Sequence, residues 1–189
     1  MTDDQIVAQT DIQNHERLAC GCPSSYPDWK HGDIDLGGQL VHNLKIPMFM
    51  HMPIGYEAYL LKQKNDIERL ELHEKWPGFN LTRTGALRGQ MLCPLIEEKS
   101  PARNLMSLTH PFHLRVHLFH GDVTEMHTTI RKMQSEILDD GLMPKELYLS
   151  YLTCPICEEQ RGGKRVMLMR RWVKSKKLED RLKKAANKK

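Results

Sequence analysis

Residues 109–138 read THPFHLRVHLFHGDVTEMHTTIRKMQSEIL, and the fold turns on them. The first half alternates with period two. Leu114, Val116 and Leu118 fall on one side and Arg115 and His117 on the other, the pattern of a strand with two unlike faces. At Gly121 the period changes. Val123, Met126, Ile130, Met133 and Ile137 recur at three- and four-residue steps, the stripe of an amphipathic helix.

A second stretch, LKIPMFMHMPIGYEAYLLKQKNDIERL at 44–70, lines up with the first at a constant offset. Gly55 falls on Gly121, Met52 on Leu118, His51 on His117, Met50 on Val116, Phe49 on Arg115 and Met48 on Leu114. Here the alternation predicts Met48, Met50 and Met52 on one strand face and Phe49 and His51 on the other. Tyr56, Tyr59, Leu60, Ile67 and Leu70 then supply a helical stripe. Each helix is expected to end in a turn, WPGF at 76–79 and DDGLMP at 139–144, followed by a strand, Gln90–Leu95 or Glu146–Leu152. The architecture expected is α+β: two pseudo-repeated strand-helix-strand units, with both helices on one face of an antiparallel sheet. The Met/Leu/Val side of each first strand should meet the helices.

Outward from this core, residues 1–30 are polar and broken by Gly21, Pro23 and Pro27, so they read as an arm. Residues 31–173 form the domain, with a short apolar strand at Val166–Met169, and 174–189 form a basic, helix-prone tail. The net charge is +4. Ten Lys and Arg from Arg170 onward face only Glu179 and Asp180, a local +8 that leaves about −4 on the rest. The tail lacks aromatic interleaving, so a solvated helix is expected there rather than a nucleic-acid or lipid contact. No apolar run reaches the roughly 18–20 residues a spanning helix needs, and the first residues lack the order of a signal peptide. A cytoplasmic location is the expectation.

Five cysteines in such a compartment should stay reduced. Cys154-Pro155-Ile156-Cys157 has zinc-knuckle spacing, and Cys20-Gly21-Cys22 offers two more thiolates, enough to close a structural zinc site if the arm folds back. A redox CxxC or unrelated free thiols would give the same spacing. Cys93, between Leu92 and Pro94, is expected in the core. The alternating methionines of 48–52 read as packing rather than copper ligands.

If helices cover the Leu114, Val116 and Leu118 face, then Phe49, His51, Arg115 and His117 share the other. Leu147, Leu149 and Tyr151 should seek the helices, which sends Glu146, Tyr148 and Ser150 to join the histidines. A cleft with a carboxylate, a guanidinium, imidazoles and aromatic rings results, although a solvated polar face has the same pattern.

Gly55-Tyr56-Glu57, His120-Gly121-Asp122 and Glu146-Leu147-Tyr148 together resemble the GyrI-like small-molecule-binding family, over about residues 33–173. That family is built of two strand-helix-strand-strand units and includes the effector-binding domains of multidrug-sensing transcription regulators. The resemblance implies small-molecule binding, with a cationic or planar organic ligand in the cleft as the partner, Tyr56 among its contacts and Glu146 as the pocket carboxylate. It also implies a hydrolase as the alternative, with Glu146 as general acid or base and Tyr148 or His117 assisting. A third option is iron or haem held by His51 and His117, with Glu146 completing a two-histidine, one-carboxylate set for iron. The paired cysteines are not part of the family pattern, and no helix-turn-helix precedes the domain.

Overall fold

The computed structural model describes residues 17–29, 31–121 and 123–186. Residues 1–16 of the expected arm and Asp122 of the resemblance lie outside them. The strands are β1 (His31–Asp35), β2 (Leu40–Phe49), β3 (Met52–Pro53), β4 (Leu81–Arg83), β5 (Arg88–Pro94), β6 (Leu105–Ser107), β7 (His113–His120), β8 (Leu142–Tyr151) and β9 (Arg165–Lys174). The helices are α1 (Tyr56–Arg69), α2 (Val123–Asp139) and α3 (Lys176–Ala186). All strand pairs are antiparallel. The fold is α+β.

The sheet order is β1-β7-β9-β8-β4-β5-β2-β3, with β6 also on β2. The two middle strands, β4 and β8, pair through Thr82 with Leu149 and Arg83 with Tyr148. Outward from that seam the order is β4, β5, β2 on one side and β8, β9, β7 on the other. α1 follows the β2–β3 hairpin and α2 follows β7. Register puts both helices on one side of the sheet: Thr82, whose hydroxyl meets Tyr56 of α1, lies beside Leu149, which packs under α2.

The faces of β7 differ from the sequence expectation. Leu114 and Val116 are buried on the side away from the helices, with Phe79, Phe112, Met167 and Met169. Arg115, His117 and Phe119 point toward α2 instead. Arg115 bridges Asp33 of β1 and Asp140 just past α2, while Phe119 packs with Met126, Met133 and Ile137. The reason is that both faces of the sheet are covered. Trp29 of the arm and Trp76 stack edge-on with each other and with Phe79 over the second face, so apolar strand residues find a core on either side. Each large side chain so buried contributes about 1.5–3 kcal/mol.

The expected strand face of Met48, Met50 and Met52 also breaks. Leu44, Ile46 and Met48 pack against Tyr56, Tyr59 and Leu60, but β2 stops at Phe49. Met50 and His51 have φ of 47° and 69°, and the chain reverses so that Phe49 pairs with Met52. Positive φ at both central residues is the geometry of a two-residue type I′ hairpin. Met50 and Met52 are therefore exposed.

Candidate metal centre and adjoining cavity

The CxxC of 154–157 folds as a tight turn after β8. The Cys157 and Glu158 N–H groups donate to the Cys154 carbonyl at 3.0 and 2.9 Å, and the Cys154 N–H donates to the Cys157 sulfur at 3.4 Å. The arm turns back through Gly21, whose N–H donates to Leu18 O at 2.7 Å, and is held from three directions. Arg161 donates to the carbonyls of Pro23 and Leu152 at 2.7 and 3.0 Å, Arg17 pairs with Glu74, and Trp29 docks on Trp76. Gly78 of the WPGF turn permits the close approach. A Cβ there would lie 3.0 Å from Pro23 N and 3.1 Å from Gly21 O, and its φ of +83° suits glycine.

Cys20, Cys22, Cys154 and Cys157 thus meet, with their sulfurs within 4.8 Å of one another. The Cys154 and Cys157 sulfurs are 3.9 Å apart, close to the edge of about 3.8 Å that a tetrahedron with metal–sulfur arms of about 2.3 Å requires. The set could hold a metal ion. Burial raises the Cys20 and Cys22 thiols. Burial acts the same way on Cys154, but N–H groups of Ile156 and Cys157 and the thiols of Cys22 and Cys20 outweigh it and lower Cys154 below the ordinary thiol value. The thiolate is therefore favoured at Cys154 relative to Cys20 and Cys22. Cys93 is fully buried beside Leu40, Ile67 and Leu95, as a core residue should be.

Against the cysteines lies a half-open cavity of about 250 Å³. One wall is the cysteine loops, and the other is Met52 and Pro53 of the hairpin with Tyr56, Glu57 and Leu60 of α1. Tyr151 closes the floor. Its ring meets Tyr56 edge to face at 5.1 Å, and the Tyr56 hydroxyl lies 3.2 Å from Thr82 Oγ1. Burial raises both phenols, Tyr151 to about 12, so both hydroxyls stay protonated. Among the described residues, Glu57 is the carboxylate of the lining, which includes no Lys, Arg or His.

The cleft expected from the sequence does not assemble as drawn. Tyr56 lines the cavity, but Phe49 and His51 stand exposed on the hairpin. Arg115 is held in its two ion pairs, and His117 meets His31 at 4.4 Å on the α2 side. Burial, then the neighbouring His31, lowers His117. Glu146, Tyr148 and Ser150 do share a face, the one away from the helices. Glu146 sits beside the bulge in β8 and pairs with Arg171 at 3.3 Å. Tyr148 is buried against Phe112 and pushed up to about 12 by burial and by Glu146, and Ser150 is buried. His51, His117 and Glu146 are not brought together, so no iron set forms from them. Tyr151, Glu57 and Met52 are among the lining residues missed. Their signal was present in the motif Gly55-Tyr56-Glu57 and in the helix-facing side of β8.

The bacterial hydrolase family model matches residues 11–172. The chain belongs to the bacterial hydrolase family. In this bacterial hydrolase family member the matched span carries all four cysteines and every lining residue of the cavity. Among solved structures, the C-terminal domain of EcmrR is similar in fold, with a TM-score of 0.58 at 9% identity, over 77% of this chain and 98% of that domain. That likeness supports the GyrI-like resemblance at the level of architecture. No curated protein matches the chain.

Proposed function

We propose that this bacterial hydrolase family member binds a small organic ligand in the cavity beside the four cysteines, and that those cysteines hold a structural zinc. The observation that carries the reading is the shared wall: Cys20, Cys22 and Cys154 are at once members of the donor set and lining residues of the cavity. Four cysteine sulfurs within 4.8 Å of one another suit structural zinc, which would tie the arm to the turn after β8. Zinc with four thiolates is formally a dianion. With Glu57, Tyr56 and Tyr151 in the lining and no cationic residue among the described lining residues, the cavity favours a ligand with a compact cationic group.

The test is calorimetry of the zinc-containing protein with benzyltrimethylammonium and with its neutral carbon isostere. Binding of the cation, weakened by Glu57→Gln and preferred over the isostere, is expected. Equal affinity for the two, or none for either, would overturn the reading.

Family membership favours a second reading, hydrolysis in the same cavity. Glu57 supports this reading because it lines the cavity, whereas Glu146 pairs with Arg171 on the other face of the sheet. Glu57 would accept the proton of a water whose oxygen attacks the ligand's electrophilic carbon, the leaving group departing with the bonding pair. Release of 4-nitrophenolate from 4-nitrophenyl esters, lost in Glu57→Gln with binding retained, is the expected result. Turnover unchanged by Glu57→Gln would exclude this role.

A further inference from the structure

Each cysteine motif supplies one partly exposed sulfur and one buried one, Cys20 with Cys22 and Cys154 with Cys157. Cys20, Cys22 and Cys154 also line the half-open cavity, so a small solute entering it meets the donor set directly. Partly exposed thiolates react where fully buried ones are inert.

Within the CxxC turn the geometry suits a cross-link. The Cys154 and Cys157 sulfurs lie 3.9 Å apart, and the 3.0 Å bond from the Cys157 N–H to the Cys154 carbonyl holds the two ends of the turn together. A four-residue turn brings its terminal Cα atoms within about 7 Å, the reach of a disulfide. The pair can therefore close on itself without the arm.

The same loop clamps the arm. Arg161, whose N–H donates to the Cys157 carbonyl at 3.1 Å, reaches the Pro23 carbonyl at 2.7 Å. Zinc and this guanidinium would both tie residues 20–23 to the loop, while Arg17 with Glu74 and Trp29 with Trp76 hold the arm on either side. Residues 20–23 are also part of the cavity wall. Removing the zinc removes two of the four sulfur anchors that reach them from the CxxC turn.

We infer that Cys154 and Cys157 are a hydroperoxide-reactive pair whose oxidation ejects the zinc and loosens residues 20–23 from the cavity wall. The inference rests on the four cysteines holding zinc, and it adds a modification that reverses that hold. The Cys154 sulfur attacks one peroxide oxygen; its S–O bond forms as the O–O bond breaks and hydroxide departs. The Cys157 sulfur then attacks the Cys154 sulfur, forming the S–S bond as the S–O bond breaks and a second hydroxide leaves. The two thiolates lose two electrons, and hydrogen peroxide takes them and two protons to become two waters. Zinc departs as Cys20 and Cys22 take up one proton each.

The test uses the full-length protein purified with a thiol reductant, desalted without air and confirmed by native mass spectrometry to carry one zinc. Hydrogen peroxide is added in modest molar excess with a chromophoric zinc chelator present. One zinc should be released per chain, and peptide mapping should find Cys154 joined to Cys157 with Cys20, Cys22 and Cys93 still reduced. Hydrogen exchange should rise about tenfold in the peptide carrying the Leu18 and Gly21 amides, which donate to Cys22 O and Leu18 O at 2.9 and 2.7 Å. Dithiothreitol with added zinc should restore the starting state.

Zinc retained through the treatment would overturn the inference and leave the zinc reading standing. Release with a cross-link between the arm and the turn, such as Cys20 to Cys154, or with sulfonic acids and no cross-link, would do the same. Release with the expected disulfide but unchanged exchange in the arm would overturn the loosening. A reduced chain that carries no zinc at the outset would overturn both readings.

Discussion

Tyr56 of α1 and Tyr151 at the end of β8 meet edge to face with ring centroids 5.1 Å apart, joining the helix of one half of the sheet to the central strand of the other. Their rings form part of the cavity lining between the hairpin and the cysteine loops. Such a pair is worth about 0.5–1.5 kcal/mol beyond the area it buries. Tyr151→Leu should weaken binding of benzyltrimethylammonium about tenfold by calorimetry, while Tyr56→Phe, which keeps the ring, should cost less than threefold. A larger loss from Tyr56→Phe would mean that the hydroxyl, not the ring, contacts the ligand.

Cys154→Ser should abolish stoichiometric zinc and lower the thermal midpoint, because a structural zinc of this type supplies binding energy that is also folding energy. Cys93→Ser should leave the metal in place, since Cys93 lies apart in the α1 core. Elemental analysis of the two variants separates the cases.

Gly78→Ala tests the packing that brings the arm to the turn. The methyl group would press on Pro23 and Gly21, and the positive φ adds about 1–2 kcal/mol. Zinc affinity, read by competition with a chromophoric chelator, should fall at least tenfold. An unchanged affinity would show that the arm reaches the cysteines by another route.

The pH dependence of stability should carry a contribution from His42. This side chain is fully buried under α1, where the Gln63 amide N–H₂ donates to the His42 and Met91 carbonyls at 3.3 and 3.4 Å. Burial lowers its pKa below the ordinary histidine value. The unfolded chain therefore takes up a proton below about pH 6.5 while the folded one does not, so stability is present above that pH and lost as pH falls. Denaturant unfolding between about pH 7 and 5 should show the decline. His42→Leu, which spares the two backbone bonds of Gln63, should flatten it.

Much of this was legible in the sequence because periodicity survives folding. The switch at Gly121 from period two to a helical stripe marked β7 and α2, and the Leu147, Leu149 and Tyr151 side of β8 does meet α2. Donor chemistry marked the CxC and CxxC motifs as a possible four-thiolate set, but whether the arm folds back to join them is decided by contacts such as Arg161 with Pro23, which the sequence does not display. Two further things were not legible. Alternation shows that Leu114 and Arg115 face opposite ways but not which way, and the tryptophans that cover the second face lie far off in sequence. The hairpin at Met50 and His51 gave no turn signal, because Met-His is not among the Asn-Gly, Asp-Gly or Gly-Gly pairs that such turns favour. Alternation alone therefore points to Glu146, Tyr148 and His117, whereas the cavity lining lies beside the cysteines on the helix-bearing side.

If four cysteines from two distant segments hold one zinc beside the ligand cavity, native mass spectrometry of the freshly purified, chelator-free protein should show it. One zinc per chain is expected, with the four thiol protons displaced, and loss of that mass on Cys154→Ser. A metal-free chain with five intact thiols, or one two hydrogens lighter through a Cys154–Cys157 disulfide, would contradict it.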